Sequence, residues 1–308
     1  MTSNLSGLFE LGLKVWFTET RPGFLLLTPI TYSIGLAVAY VEGSFDALRA
    51  VLGLIGVILA HVSINVLNDY FDYRSGLDFR TKRTPFSGGS GILPAGALEA
   101  RKVYLFAVSC LAVGGIIGVY FALTTGWMLL PLVAFAAVSI YFYTTHLSHW
   151  FVGELITGIN FGPLMALGGY FIMTGSYGLP ALAAGVVPGI LVGTLLFLNE
   201  FPDLEADRET GRRNAVISLG LETSSKLYAL FIGSTYAWIV LSILLRLMPP
   251  TALVAFVTLP LGVKAVRGVL REHSSFEGLI PYLGANVMLV LSLSGMVSLG
   301  IMLSLLFR

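Results

Sequence analysis

Long stretches without Asp, Glu, Lys or Arg set the pattern of this chain: 22–41, 50–68, 103–153, 155–199, 227–245, 247–263 and 278–307. A helix that spans a hydrocarbon core needs about 20 apolar residues. Five of the runs therefore predict one spanning helix each, and the two longest predict two. Turn formers mark the breaks inside those two, at Thr124-Thr125-Gly126-Trp127 and from Gly175 to Pro180. The expectation is an all-α polytopic membrane protein with nine transmembrane helices.

Composition narrows the function classes. Of 308 residues, 56% are hydrophobic and 11% charged, against about 25% charged in ordinary soluble domains. So few charges cannot coat a soluble globule. A net charge of +1 removes nucleic acid as a partner, because phosphate binding needs a basic field. The lone Cys110 lies in an apolar stretch, which excludes disulfide frameworks and cysteine-based zinc sites. The segment 11–20 carries Lys14 and Glu19 and lacks a clean apolar core. It is expected to be a short interfacial helix leading into the first span, not a signal peptide.

An odd number of spans puts the termini on opposite sides of the membrane. With a cytoplasmic N-terminus, fifteen Lys and Arg residues fall on the cytoplasmic side, and the other side keeps only Arg49, Arg246 and Arg308. That is a strong positive-inside bias. Residues 1–308 are expected to form a single transmembrane unit in the cell membrane, with cytoplasmic loops 69–102 and 200–226.

Two polar constellations interrupt the apolar pattern. Asn68 and Asp72 are four residues apart, so on a helix they share one face, and Gly76 lets the chain bend so that Asp78 can return toward them. Asn65 and His61 continue the same stripe deeper into the helix, and a polar stripe at that depth must face protein or a cavity. The arrangement recurs as Asn199, Asp203 and Asp207 at the end of the sixth predicted helix. The two copies lie 131 residues apart for both the Asn and the first Asp, which suggests two related halves.

Carboxylates gathered in this way repel one another at low dielectric and call for cations. Ligation by Asp and Asn oxygens suits a hard ion such as Mg²⁺, which commonly binds through one or two carboxylates together with substrate phosphates. Two such clusters could clamp a diphosphate, and a metal-bridged diphosphate is a good leaving group. Each motif alone also fits an ordinary charged helix end at a membrane surface. The pair, on one predicted side and each beginning with Asn, favours a site.

Asn68-Asp-x-x-Asp72 with Asp78, and Asn199-x-x-x-Asp203-x-x-x-Asp207, resemble the two aspartate-rich motifs of the UbiA superfamily of intramembrane prenyltransferases. The resemblance extends over nearly the whole chain and includes Arg21-Pro22 ahead of the first helix. It implies nine helices around a central cavity, with cytoplasmic motifs after helices 2 and 6. It also implies a polyprenyl diphosphate donor, a small aromatic or lipid-like acceptor, and two Mg²⁺ ions. Asn68, Asp72, Asp78, Asn199, Asp203 and Asp207 would hold those ions, directly or through water, and form the catalytic set. Within the superfamily, the segment 68–78, the glycine-rich Ser87-Gly88-Gly89-Ser90-Gly91 and the run 203–211 resemble the MenA-type enzymes, which prenylate 1,4-dihydroxy-2-naphthoate in menaquinone biosynthesis. They also resemble the vertebrate menaquinone-forming enzyme. The hydroxybenzoate and glyceryl phosphate branches usually place the third Asp closer, and the hydroxybenzoate branch has a Tyr-x-x-x-Lys pair that this chain lacks after its fourth helix.

Around this core, Arg21, Lys82, Arg83 and Arg208 are candidates to bind the outer diphosphate oxygens. Arg212 and Arg213 fit positive-inside topology better. His61, Asn65, Tyr141 and Tyr143 are candidates for the acceptor and cation pocket, the tyrosines through cation–π contact. The loop 86–91 reads as a flexible lid or a phosphate nest, and Glu154, isolated between two apolar runs, has no assigned role. Two competing classes are a transporter, whose sites sit near the midplane at broken helices, and a CDP-alcohol phosphotransferase, whose Asp-Gly-x-x-Ala-Arg lead-in is absent here.

Overall fold

The structure is a computed structural model that describes residues 12–81, 83–84, 86–149, 152–209, 211 and 214–307. Every regular element among them is helical. Eight helices are long and apolar enough to cross a membrane: α1 (Pro22–Val41), α2 (Ala47–Ser75), α3 (Ala100–Thr124), α5 (Gly153–Thr174), α6 (Leu179–Glu209), α7 (Leu221–Leu244), α8 (Pro250–Glu272) and α9 (Phe276–Leu303). The expected fourth span is a shorter apolar helix, α4 (Trp127–Phe142). The run that predicted it ends in turns and a 3₁₀ segment rather than in helix. A short helix over 12–19 precedes α1.

Local chemistry sets the ends that matter for the site. The Asp46 carboxylate caps α2 by accepting from the Arg49 N–H at 2.9 Å. Gly76 closes α2 in the left-handed region at φ 82°, where a side chain would be strained. Both motif helices run on past their charge-free stretches, α2 to Ser75 and α6 to Glu209. Asp72, Asp203 and Asp207 therefore lie on helix, and the regions 69–102 and 200–226 are loop only in part.

α2 packs on α3, α1 on α5 and α9, and α5 on α6. The α5–α6 crossing is so close that a Cβ on Gly162 or Gly158 would run into the backbone of Gly189. There α5 opens into one π-helical turn, Asn160–Leu164, around Pro163. α1 and α5 begin 131 residues apart, at Pro22 and Gly153, the same offset that separates Asn68 from Asn199. The crossing thus brings two similarly constructed helix pairs together, with both motifs at one end of the bundle.

Candidate active site

At the end of α2 the Asn68 side chain is held from three directions. Its Nδ2 donates to Asp72 Oδ2 at 2.9 Å and to Thr144 Oγ1 at 3.3 Å, and its Oδ1 accepts from Arg21 Nη1 at 3.3 Å. Arg21 sits just before α1 with φ 55°, an uncommon backbone state for a residue with a side chain. Its guanidinium lies over the Phe24 ring, 4.8 Å from the centroid, and 3.6 Å from Asp69 Oδ1. Beyond Gly76 the chain turns into a 3₁₀ segment, Leu77–Phe79, that buries Asp78. Burial, then the charges of Asp72 and Asp69, push the Asp78 carboxyl up to about 7 against the pull of Arg83 and Arg21.

The end of α6 is built differently. Asp207 is buried and accepts from Asn214 Nδ2 at 2.9 Å. The Asn214 Oδ1 in turn accepts from the Ile217 N–H at 2.9 Å, capping the short helix Ala215–Leu219. Glu200 is hydrogen-bonded to Glu154 across the α5–α6 crossing, near the start of the short helix Ala215–Leu219. Two carboxyl groups can share a hydrogen bond only when one of them keeps its proton.

Asn68, Asp72, Asp78, Asn199, Asp203 and Asp207 all line one cavity of about 150 Å³, joined there by Arg21, Tyr143, Glu154 and Glu200. The glycine-rich loop forms part of its wall through Ser87, Gly88 and Gly89. Ser90 fastens that loop: its N–H donates to Asp69 Oδ2 at 2.8 Å and its hydroxyl to Glu19 Oε2 at 2.8 Å. Gly89, at φ 72°, passes so close that a Cβ would lie 3.1 Å from Asp78 Oδ1 and 3.3 Å from Asp69 Oδ1. Glu19 is fully buried, and burial together with Asp69 raises its carboxyl to about 7.

A second, mostly apolar cavity of about 250 Å³ meets the first at Arg21, Asn68, Tyr143, Leu196 and Asn199. Its few polar walls are tied to neighbouring helices or loops. His61 Nδ1 pairs with Thr28 Oγ1 at 2.6 Å, Asn65 Nδ2 donates to Thr20 O at 3.1 Å, and Asn160 Nδ2 donates to Ser139 Oγ at 3.0 Å. The Phe161 ring meets His61 edge to face.

An acidic cavity opening into an apolar one suits a substrate with a charged head and a hydrocarbon tail. Residues 27–277 match the UbiA prenyltransferase family. The chain belongs to that family. Like its UbiA relatives it is a prenyltransferase, and it is a multi-span membrane protein. It is 25% identical over 268 residues to 1,4-dihydroxy-2-naphthoate octaprenyltransferase of Bacillus subtilis (strain 168), covering 86% of this chain and 84% of that one. It is 27% identical over 257 residues to UbiA prenyltransferase domain-containing protein 1 of Xenopus tropicalis, covering 82% and 73%. The fold is similar to a UbiA homolog from Archaeoglobus fulgidus bound to GPP and Mg²⁺, with a TM-score of 0.62, 16% identity, and 92% and 99% of the two chains covered. An apo UbiA homolog from Aeropyrum pernix K1 superposes with a TM-score of 0.63, at 14% identity over 91% and 97%.

Three expected site residues stand elsewhere. Tyr141 lines neither cavity: its hydroxyl pairs with that of Tyr104 on α3 at 3.0 Å, because two residues along a helix turn a side chain to the far face from Tyr143. Arg83 is exposed and braces the loop, its Nε donating to Gly88 O at 3.2 Å, with its guanidinium in the space a Gly91 Cβ would need. Arg208 is exposed on α6 and outside the cavity lining. Lys82, Arg212 and Arg213 lie outside the described residues. Sequence reasoning did not single out Asp69, Glu200 or Asn214, although the first two directly follow the motif asparagines.

The UbiA cavity fits a divalent cation that arrives with phosphate. Asp78 Oδ2 is buried without a hydrogen-bond partner, and the donors are oxygen only. Among the described residues no three Asp, Glu, His or Cys side chains converge tightly enough to hold an ion by themselves. It is the oxygen donor set that suits a hard ion such as Mg²⁺, which takes water and phosphate oxygens alongside carboxylates.

Proposed function

We propose that this protein transfers a prenyl group from a polyprenyl diphosphate to a small aromatic acceptor of the 1,4-dihydroxy-2-naphthoate type, with Mg²⁺ and at the cytoplasmic side of a nine-span bundle. One observation carries the reading: all six motif side chains line a single acidic cavity whose floor opens into an apolar one. The B. subtilis relative's name and the Mg²⁺ and GPP of the A. fulgidus homolog support the acceptor class and the donor chemistry.

In this reading Asn68, Asp72 and Asp78 would hold one ion and Asn199, Asp203 and Asp207 a second. When bound, Mg²⁺ neutralises the diphosphate and makes it a better leaving group. Arg21 offers a guanidinium to the same oxygens from a position fixed by Asn68 and Asp69. The C1–O bond of the donor breaks with its electron pair leaving on the diphosphate, and the apolar cavity keeps water from the allylic carbon. Tyr143, which lines both cavities, would offer its ring to that developing positive charge. A ring carbon of the acceptor supplies the pair for the new C–C bond. It then loses a proton, or carbon dioxide where that carbon carries a carboxylate. His61 and Asn65 line the acceptor's side of the pocket.

The test is purified protein with labelled prenyl diphosphates, Mg²⁺ and three acceptors: dihydroxynaphthoate, hydroxybenzoate and geranylgeranylglyceryl phosphate. Product with dihydroxynaphthoate is expected. Product with either of the others alone would replace the acceptor, and no product at all, with vectorial flux in liposomes, would favour a transporter.

A further inference from the structure

The end of the bundle away from the motifs carries two opposite charges that prenyl transfer leaves unused. From Pro22, beside Arg21, α1 runs 20 residues to Val41, about 30 Å at 1.5 Å per residue. Glu42 follows it directly, and at the same end Arg246 stands just past α7. Both line one open cavity of about 980 Å³, formed by the ends of α1, α7 and α9 and the start of α8. Their charged atoms stay more than 4.0 Å apart and form no ion pair.

Each charge is held from its own side. The Tyr170 hydroxyl donates to Glu42 Oε2 at 2.5 Å, and Oε1 has no partner among the described residues. The Arg246 N–H donates to Ile243 O at 2.9 Å and the Leu247 N–H to Ser242 O at 2.8 Å, in a turn that commonly stops a helix on glycine. Here φ is 59°, a state that a residue with a side chain rarely adopts. The guanidinium has no hydrogen-bond or ion-pair partner among the described residues. A cation near a helix C-terminus is ordinary, but a basic residue one turn earlier would serve the helix without backbone strain.

Opposite charges set apart in one cavity suit a ligand that carries both signs. The other walls are mostly apolar, with Val38, Val41 and Met248 buried and Leu244 and Phe307 exposed at the rim. We propose that this cavity binds a zwitterionic phospholipid with a primary ammonium, in the leaflet away from the motifs. The phosphate meets Arg246, the ammonium meets Glu42, and the acyl chains lie on the apolar rim. An anionic headgroup would find the same arginine but would face Glu42 with no cation to offer it. The bound lipid ties together the ends of α1, α7 and α9, and the site is independent of the acceptor and of Mg²⁺.

The test follows thermal unfolding of the full chain in detergent as dioleoylphosphatidylethanolamine, dioleoylphosphatidylglycerol or glycerophosphoethanolamine is added, because a ligand of the folded state raises its melting temperature with concentration. In wild type the ethanolamine lipid is expected to half-saturate at about a tenfold lower concentration than the glycerol lipid, the scale of one hydrogen bond to a charged group. Glu42→Gln can still accept from Tyr170 but carries no charge, and it is expected to respond to the two lipids alike. Arg246→Gly suits the backbone at this turn, so the variant folds, and it is expected to bind both lipids about tenfold more weakly. Equal half-saturation by the two lipids in wild type, a preference that survives in Glu42→Gln, or unchanged binding in Arg246→Gly would overturn the proposal. So would saturation by glycerophosphoethanolamine at the same concentration as by the lipid, which would make the ligand a soluble zwitterion.

Discussion

Asp69 and Glu200 occupy the same place in the two halves of the chain, each directly after its motif asparagine, yet Asp69 faces Arg21 at 3.6 Å while Glu200 is hydrogen-bonded to another acid, Glu154. The halves are alike in backbone and unlike in charge. On the α2 side a buried carboxyl group faces a cation, and on the α6 side it faces a second carboxyl group. The two carboxylates therefore respond differently to substitution.

Arg21→Ala leaves Asp69 buried without its cation and frees one side of the Asn68 amide. Removing one partner of a buried pair typically costs about 3 kcal/mol. Chemical denaturation in detergent is expected to show a loss of that order, partly recovered in Arg21→Ala/Asp69→Asn, while turnover stays low in both. Full recovery of turnover in the double variant would mean that Arg21 acts only through Asp69.

Glu200→Gln is expected to be mild for stability, since an amide N–H can donate across to Glu154. Melting within about 2 °C of wild type is the expected result. Glu200→Ala leaves the buried Glu154 carboxyl without its partner, at a cost of about 1–3 kcal/mol. Equal melting of the two variants would show that the pair contributes nothing.

Glu19 supplies a pH dependence. Its carboxyl rises from 4.5 to about 7 on folding, so the folded protein binds the extra proton between those values. Stability in metal-free buffer is lost as pH rises from about 4.5 to 7 and stays lower above that. Glu19→Gln still accepts from Ser90 and carries no charge. It is expected to melt higher than wild type at pH 8 and to match it near pH 4. The opposite order would mean that Glu19 is charged and stabilising in the folded state.

Tyr141, in the last turn of α4, and Tyr143, just after it, separate packing from chemistry. Tyr141→Phe loses one hydrogen bond to Tyr104 outside both cavities, and its kcat/KM is expected to stay within about twofold of wild type. Tyr143→Ala removes a ring from the junction of the two cavities and is expected to lower kcat about 10-fold or more if the ring meets a developing cation.

Much of this was legible in the chain. Charge-free runs located the helices, because a membrane span must be apolar throughout. The four-residue spacing of Asn68 with Asp72, and of Asn199 with Asp203 and Asp207, anticipated side chains on one helix face, and the structure brings them to one cavity. What the sequence hid depends on contacts between distant segments. Ser90 reaches Glu19 and Asp69 across 71 and 21 residues, and no periodicity signals such a fastening. Arg83 reads as a phosphate ligand, and its contact with Gly88 O within the loop has no periodicity to signal it. The shortness of α4 was concealed because apolar composition continues past Phe142 into turns, so a run without charges overstates the helix inside it.

The central claim is that the two motifs act together on one diphosphate, and Asp72→Ala and Asp203→Ala test it most directly. Mg²⁺-dependent binding of a labelled prenyl diphosphate and its transfer should be measured at saturating Mg²⁺, with thermal unfolding to confirm that each variant is folded. Loss of transfer in both folded variants, with donor binding weakened in each, is the predicted result. Near-normal transfer by either one would contradict the account.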